Sequence, residues 1–378
     1  MDGRIIAQPG SGIATYAAAL RMAQQKLTPC PLLLKDDSCD QGTPPVSGKE
    51  RAIRWLRAFT TSSVRADLKA GQDRGAILHA PDIFRLAYVR FRQTGKMLTV
   101  HAPHSHGLIH WSLPLPIRIA GWINIYTIHD VIPLIYPNLT PMQGEHHRVL
   151  LKEILSKASH IVTVTCSARQ SIIDTIRCNP GLVSNCSIAV ESTPSEYFSL
   201  PPPLEPKKYY IFAGSSEPRK NIAKLVTAYK RSGRSLPLLL IGPHANHADP
   251  AAGIWNLPYQ PAERLSALIA QARALVFPSL AEGFGLPVVE AMALGTAVLT
   301  SNEGPLAEVA GGAALLVDAR DESSITDGLN RIANDDDLVG SLERWGRLRA
   351  TAFSSEKFTK NLSELYGELF SRSMIEHA

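Results

Sequence analysis

The chain has 378 residues, 45% of them hydrophobic and 19% charged. That balance excludes a disordered chain, and the length exceeds what one core of ordinary size organises, so two or three domains are expected. No apolar run approaches the roughly 18 residues of a membrane span, and no basic-then-apolar signal segment opens the sequence. Net charge is +5; residues 1–200 hold 21 Lys and Arg against 14 Asp and Glu, the remainder 18 against 20. The excess lies largely between Lys49 and Lys96, where 11 basic residues meet 4 acidic ones. Such a surface favours phosphates or an anionic membrane, although any single charge there reads equally well as part of a solvated helix face. The five cysteines (Cys30, Cys39, Cys166, Cys178 and Cys186) are odd in number and lack Cys-x-x-Cys spacing. Neither a disulfide framework nor a structural zinc site is expected, and a reducing cytosol fits.

In chain order, Gln8-Pro-Gly-Ser-Gly-Ile-Ala-Thr-Tyr16 reads as a glycine loop running into a helix over Ala14 to Ala23. Gly10 and Gly12 let backbone approach a phosphate or a sugar. The loop lacks the P-loop and dinucleotide spacings, and a plain turn explains it as well. Arg51, Arg54 and Arg57 then alternate with Ile53, Trp55, Leu56 and Phe59. The pattern fits either a helix lying on an anionic membrane or a core-packed helix with a basic outer face, and the second is the reading taken. Ile77-Leu78-His79, Ile123 to Ile128 and Ile161 to Val164 read as strands and Gly144 to Lys157 as a helix, so a parallel sheet covered by helices is expected. Tyr126-Thr-Ile-His129-Asp130-Val-Ile-Pro133 puts a polar pair at a strand end. A lone His is more often structural, and this position shifts the balance modestly toward function. His146 and His147 read as surface, and no His has metal-ligand spacing.

Ser199-Leu-Pro-Pro-Pro-Leu-Glu-Pro206 carries four prolines in eight residues and reads as an interdomain linker. The alternation then restarts. Strands are expected at Tyr209 to Ala213, Leu236 to Ile241, Ala274 to Phe277 and Ala297 to Thr300. Helices are expected at Asn221 to Arg231, Pro261 to Ala272, Pro287 to Leu294 and Glu356 to Ser371. Two α/β units joined by such a linker imply a ligand cleft at the carboxyl ends of the strands.

Two loops of the second unit carry chemistry. Phe277-Pro-Ser-Leu-Ala-Glu-Gly-Phe-Gly-Leu-Pro-Val-Val-Glu-Ala-Met-Ala-Leu-Gly295 is a buried strand, a glycine turn and a helix opened by Pro287. Its turn leaves the N–H groups of Gly283 to Leu286 free for a ligand. Glu282 and Glu290 place two carboxylates toward one cleft, and each can accept two hydroxyl hydrogen bonds, as a polyol requires. Glu290 alone reads more simply as a surface helix residue. Phe212-Ala-Gly-Ser-Ser-Glu-Pro-Arg-Lys-Asn221 follows a strand and precedes a helix. Gly214 permits a tight turn there, and Arg219 and Lys220 bring two cations to a helix N-terminus, where a diphosphate is stabilised.

These residues resemble glycosyltransferase family 4 over most of the chain. The specific parts are Glu282-x7-Glu290, the Arg219-Lys220-Asn221 turn and Ser301-Asn-Glu-Gly-Pro-Leu-Ala-Glu-Val-Ala-Gly-Gly312. In the first half, Gly-Ser-Gly-Ile-Ala-Thr-Tyr16, His110-Trp-Ser-Leu-Pro-Leu-Pro116 and Thr127-Ile-His-Asp-Val-Ile-Pro133 look like bacterial mannosyltransferases of O-antigen or exopolysaccharide synthesis. The resemblance implies a GT-B fold, an α/β architecture of two Rossmann-like domains facing an interdomain cleft. It implies an acceptor-binding domain over 1–200, a nucleotide-sugar-binding domain over 207–355 and a helix over 356–378 returning to the first domain. It further implies a retaining, metal-independent hexosyl transfer without cofactor, from a nucleotide-diphosphate sugar taken as GDP-mannose. Carried over by position, Arg219 and Lys220 bind the diphosphate, Glu282 contacts sugar hydroxyls, His129 sits beside the reacting sugar and Glu290 holds the ribose. Gly12, Gly214, Ser215, Phe284, Gly285 and Leu286 complete the donor site. A polyprenyl-diphosphate-linked glycan is the implied acceptor, which places the protein in the cytoplasm, peripheral to the inner membrane face, with no nucleic-acid partner.

Leu306-Ala-Glu-Val309 and Gly295-Thr-Ala-Val298 depart from the family's Leu-Pro-Glu-Val and Gly-x-Pro-Val, each losing a stiffening proline. Asp2-Gly3-Arg4 usually follows a first strand, and little precedes it here. Two other readings stay open: a non-catalytic sugar-nucleotide-binding partner of another transferase, and a sugar-nucleotide epimerase on the same architecture.

Overall fold

In the second half, six short apolar runs pair into one sheet in which every ladder is parallel. Its order is Ile254–Leu257, Leu238–Ile241, Tyr210–Ala213, Ala274–Phe277, Ala297–Ser301, Leu315–Val317. The four central strands are buried at every residue. Their near-continuous Leu, Val and Ile runs have this cause: helices cover both faces of a parallel sheet. Strand order reverses between Tyr210–Ala213 and Ala274–Phe277, which opens a crevice at their carboxyl ends. The two chemistry-bearing loops leave the sheet at those two ends.

The computed structural model describes residues 1–5, 11–28, 31–36, 48–70, 76–192, 199–233 and 235–376; Gln8 to Gly10, Cys30 and Cys39 lie outside them. The single parallel sheet expected for the first half is divided. Leu33–Lys35 and Ala76–His79 run parallel, but Asp67–Ala70 joins them antiparallel. Val183–Asn185, His160–Thr163, Ile123–Thr127 and Leu108–Trp111 form a second, wholly parallel sheet. Ser63–Arg65, Leu98–His101 and Ile117–Ile119 form a third. Met1 to Gly3 pairs with the outer edge of Leu33–Lys35 through an isolated bridge from Asp2 to Leu34, and no ladder joins that edge to Leu108–Trp111 among the described residues.

Helix Gly12–Leu27 starts at Ser11, whose side chain accepts from the Ala14 N–H, and buries Tyr16, Ala17, Leu20 and Ala23. The tail helix Ser355–Glu376 packs against it. A buried polar chain ties these helices to the second sheet. Tyr16 Oη meets Thr127 Oγ1 at 2.8 Å, Thr127 meets His110 Nε2 at 2.8 Å, and His110 Nδ1 meets Tyr366 Oη at 2.7 Å.

Helix Gly48–Thr60 corrects one reading. It is not packed by its large apolar residues: Ile53, Trp55, Leu56 and Phe59 are 58%, 52%, 60% and 45% exposed, while Ala58 is buried. Against the surface expectation, His147 is half-buried, and burial lowers its pKa to about 4; His146 is exposed.

Candidate active site

The crevice of the second sheet is built by two loops locked together. Pro218–Lys220 forms one 3-10 turn capped by Asn221 in the left-handed region, with φ of 60°. Asn221 Nδ2 donates to Pro278 O at 3.0 Å and to Ala319 O at 2.7 Å, and the Leu280 N–H donates to Arg219 O at 2.7 Å. The turn therefore presents Arg219 and Lys220 to the neighbouring loop. Glu282 receives both cations: Arg219 Nη1 lies 2.7 Å from Oε2 and Lys220 Nζ 2.7 Å from Oε1. Arg219 Nε also reaches Glu217 Oε2 at 2.9 Å, and Ser215 Oγ donates to Glu217 Oε1 at 3.0 Å. Two cations thus face two carboxylates. Burial opposes ionisation of Glu217, but hydrogen bonds from Arg219 outweigh it and lower its pKa; burial likewise opposes the Arg219 charge, and Glu282 and Glu217 outweigh it.

Gly283 brings the first half of the chain in. A Cβ there would lie 2.7 Å from His129 O and 3.2 Å from Asp130 Oδ2, so only glycine admits the approach. Thr165 Oγ1 donates to Gly283 O at 3.1 Å. Gly285, with φ of 102°, is the N-cap of helix Leu286–Ala293. The amides of Gly283 to Leu286 donate to no described residue. Phe284 is buried, edge-on to Phe353. Across the cleft, a Cβ at Gly12 would meet Leu286 Cδ1 at 3.1 Å. Glu290 stands one turn along the helix, and its carboxylate makes no hydrogen bond with a described residue; burial raises its pKa.

His129 Nε2–H donates to Ser112 O at 2.9 Å, which leaves Nδ1 as the acceptor in the neutral ring. Burial pushes its pKa down to about 4. Its ring stands edge-on to Tyr16, centroids 4.8 Å apart. Asp130 accepts from the Ile132 N–H at 2.9 Å, and burial raises its pKa.

Between the two halves lies a cleft of about 160 Å³ lined by Asp130, Tyr136, Ser167, Glu282, Ser301 and Arg320, among others. Of the residues expected from sequence, Glu282 lines it. Arg219 and Lys220 stand behind Glu282, while His129, Gly12, Gly285 and Leu286 gather around the Gly283 contact. Gly214 is turned away, its carbonyl accepting from His244 Nε2–H at 2.9 Å. Among the described residues, no group of three His, Cys, Asp or Glu is arranged to hold a metal. Sequence reading passed over Glu217 and Glu308. Glu217 had a signal, an acidic residue directly before the cationic pair. Glu308 had none, because its partners Cys166 and Ser167 lie on the other side of the cleft.

The family model for glycosyl transferases group 1 matches residues 198–349. The O-antigen chain mannosyltransferase B of Escherichia coli is 30% identical over 267 residues, 64% of this chain and 69% of that one. The O-antigen chain mannosyltransferase RfbU of Salmonella typhimurium is 27% identical over 232 residues, 58% of this chain and 63% of that one, so the match spans just under two thirds of its length. The solved structure of an alpha,alpha-trehalose-phosphate synthase (UDP-forming) from Burkholderia vietnamiensis superposes with a TM-score of 0.64 at 12% identity, covering 98% of this chain and 96% of that one. That likeness establishes the shared fold, two Rossmann-like halves about a cleft.

Proposed function

Because the chain belongs to the group 1 glycosyl transferases, we propose that it moves a hexose from a nucleotide-diphosphate sugar onto a glycan acceptor, of the family 4 type and with retention. The observation that carries this is the cluster of Arg219, Lys220 and Glu282, set at the strand-order reversal and closed by Gly283 against His129 and Asp130. The names of the two relatives support mannose as the sugar and O-antigen as the product class; GDP-mannose as the donor, and exopolysaccharide as the other product class, belong to the proposal.

In this reading the free enzyme stores its cations on Glu282. An arriving diphosphate takes Arg219 and Lys220, and Glu282 turns to the sugar hydroxyls. The C1–O bond to phosphate breaks with its electron pair leaving on the diphosphate, through an oxocarbenium-like state. Arg219 and Lys220 stabilise that charge. The acceptor hydroxyl attacks C1 from the face the diphosphate leaves, and a leaving phosphate oxygen takes its proton. No metal or cofactor has a part in this route. Glu290 holds the ribose, while Gly12, Gly214, Ser215 and the amides of Phe284 to Leu286 border the donor. A cleft of about 160 Å³ is below the roughly 300–1,000 Å³ of ordinary ligand pockets, so the halves part to admit the donor.

The acceptor we assign is a polyprenyl-diphosphate-linked glycan. The exposed Ile53, Trp55, Leu56 and Phe59 on a helix within the basic segment support peripheral contact with an anionic membrane at its cytoplasmic face. No described helix is long and apolar enough to cross a membrane.

A thermal-shift screen of nucleotide sugars tests the donor. At about 100 times its Kd, the true donor stabilises the fold by roughly 2.7 kcal/mol. GDP-mannose is expected to give the largest rise in melting temperature, and a flat response to every nucleotide sugar would remove the assignment.

A further inference from the structure

The donor residues border the cleft of about 160 Å³ at one place only. Glu282 lines it, whereas Arg219, Lys220, Gly285, Leu286 and Glu290 do not. Arg219 and Lys220 reach Glu282 from behind. The room therefore lies on the other side of Glu282 from the diphosphate cations.

Both halves of the chain wall this room. In the first half, Asp130 follows strand Ile123–Thr127, and its Oδ1 accepts from the Ile132 N–H at 2.9 Å at the start of the short helix Ile132–Ile135. Its Oδ2 has no hydrogen-bond partner among the described residues. The carboxylate is half-buried, burial raises its pKa, and it feels the charges of Arg219 and Glu282. In the second half, Ser279 follows strand Ala274–Phe277 and also lines the room. Its Oγ is buried with no hydrogen-bond partner among the described residues. An open carboxylate oxygen and an orphaned hydroxyl on one small cavity are groups that a ligand satisfies.

The rest of the lining selects the class of ligand. Tyr136, Ser167, Ser171 and Asn302 offer neutral hydroxyl and amide groups. Arg320 is the one cation of the lining, and it is paired with Glu303. Asp130, Glu282 and Glu303 thus face a single cation that is already engaged. Such a wall repels a phosphate or a uronate. It accepts hydrogen bonds from hydroxyls, so a neutral polyol fits it.

Given transfer from a nucleotide sugar, on which this rests, we propose that the room is the acceptor-sugar subsite. Asp130 Oδ2 accepts a hydrogen bond from the acceptor hydroxyl next to the attacking one, and Ser279 Oγ engages the same sugar once the halves part. The subsite admits an uncharged, unphosphorylated sugar end; the diphosphate of a lipid-linked acceptor stays outside, beyond that sugar. Asp130 takes no proton. The attacking oxygen bonds to C1, the C1–O bond to the diphosphate breaks, and the proton of the attacking hydroxyl passes to the leaving phosphate oxygen.

Release of nucleoside diphosphate from the donor found by thermal shift tests it. The acceptors are the methyl glycosides of mannose, glucose, galactose and N-acetylglucosamine, and the matching hexose 6-phosphates. A neutral glycoside is expected to speed release by the parent, and the phosphates are not. In Asp130→Asn the amide oxygen keeps the hydrogen bond from Ile132, so the melting temperature should stay near-parental. KM for the glycoside should rise about 10-fold or more, while donor KM stays within about twofold. Ser279→Ala removes an unpaired buried hydroxyl, so its melting temperature should hold or rise, with glycoside KM up by about 5-fold. If Asp130→Asn fails to fold, Ser279→Ala decides on the same measure. A parental glycoside KM, an equal rise in donor KM, or acceleration by the phosphates alone or by no acceptor contradicts the proposal. A parent whose melting temperature no nucleotide sugar raises removes the glycosyl-transfer reading instead.

Discussion

Glu308 caps a helix of the opposite half of the molecule: its Oε2 accepts hydrogen bonds of 2.7 Å from both the N–H and the Oγ of Ser167. Oε1 accepts from the Cys166 N–H, also at 2.7 Å. The carboxylate thus satisfies orphan donors in the first turn of helix Cys166–Ile176 and meets its positive end. Arg349 Nε and Nη2 donate to Val309 O and Glu308 O, which steadies the carboxylate's own helix. Nearby, Thr165 Oγ1 reaches Gly283 O. Together these form a clasp across the cleft.

Glu308→Gln keeps the shape and removes the charge. The clasp is expected to weaken by roughly 2 kcal/mol, the usual scale for hydrogen bonds to a charged group. Small-angle scattering of the free protein should then give a larger radius of gyration than the parent. An unchanged radius means the clasp does not hold the halves together.

Gly283→Ala puts a methyl 2.7 Å from His129 O, a backbone atom that cannot swing aside. The two loops must part, carrying Glu282 away from His129 and Asp130. Misplacement on this scale is expected to lower kcat by about 100-fold, with little change in circular dichroism. Steady-state kinetics on the purified variant decides it, and parental kcat would show that the contact is incidental.

Glu290 separates a ligand role from a structural one by opposite signs. Its carboxylate is half-buried without a described partner, so its pKa is raised and its charge opposes folding. That unfavourable contribution is full above the raised pKa and vanishes as pH falls below the ordinary glutamate value. Glu290→Gln should therefore leave the melting temperature at pH 7 unchanged or higher. If the carboxylate holds a ribose, donor KM should rise by about 10-fold. An unchanged donor KM leaves Glu290 no part in donor binding.

Protonation of His129 has the opposite sense. Its folded pKa, about 4, lies below the ordinary histidine value because burial disfavours the cation. Its stabilising contribution is whole above the ordinary value and is lost as pH falls from about 6.5 to about 4, roughly 3 kcal/mol in all. His110, His147 and His160 are lowered by burial in the same window or beneath it. Denaturant melts at pH 7 and pH 4.5 should show the loss, and His129→Asn should flatten part of the slope.

Much of this was legible in the residues, and the exceptions are instructive. The second half reads well because its strands are buried on both faces and its loops carry Gly, Pro and paired charge at strand ends. Glu282, Arg219 and Lys220 were each singled out from local pattern, yet no pattern showed that the three would pair with one another. The apolar residues of Gly48–Thr60 were read as core, since amphipathic periodicity does not say which side of a helix meets protein. The division of the first sheet was also hidden, because it depends on which backbone lies beside Leu33–Lys35 and Leu108–Trp111. Glu308 escaped for the same reason, its partners being about 140 residues away.

The central claim is that Arg219 and Lys220 serve a departing diphosphate. Initial rates of sugar transfer from the donor found by thermal shift, measured for the parent and for Lys220→Ala, test it most directly. Lys220 lies 2.7 Å from Glu282, and Arg219 still holds that carboxylate in the variant, so the fold should survive. The account predicts a fall in kcat/KM of about 100-fold or more with a near-parental melting temperature. Turnover close to the parent's would contradict it.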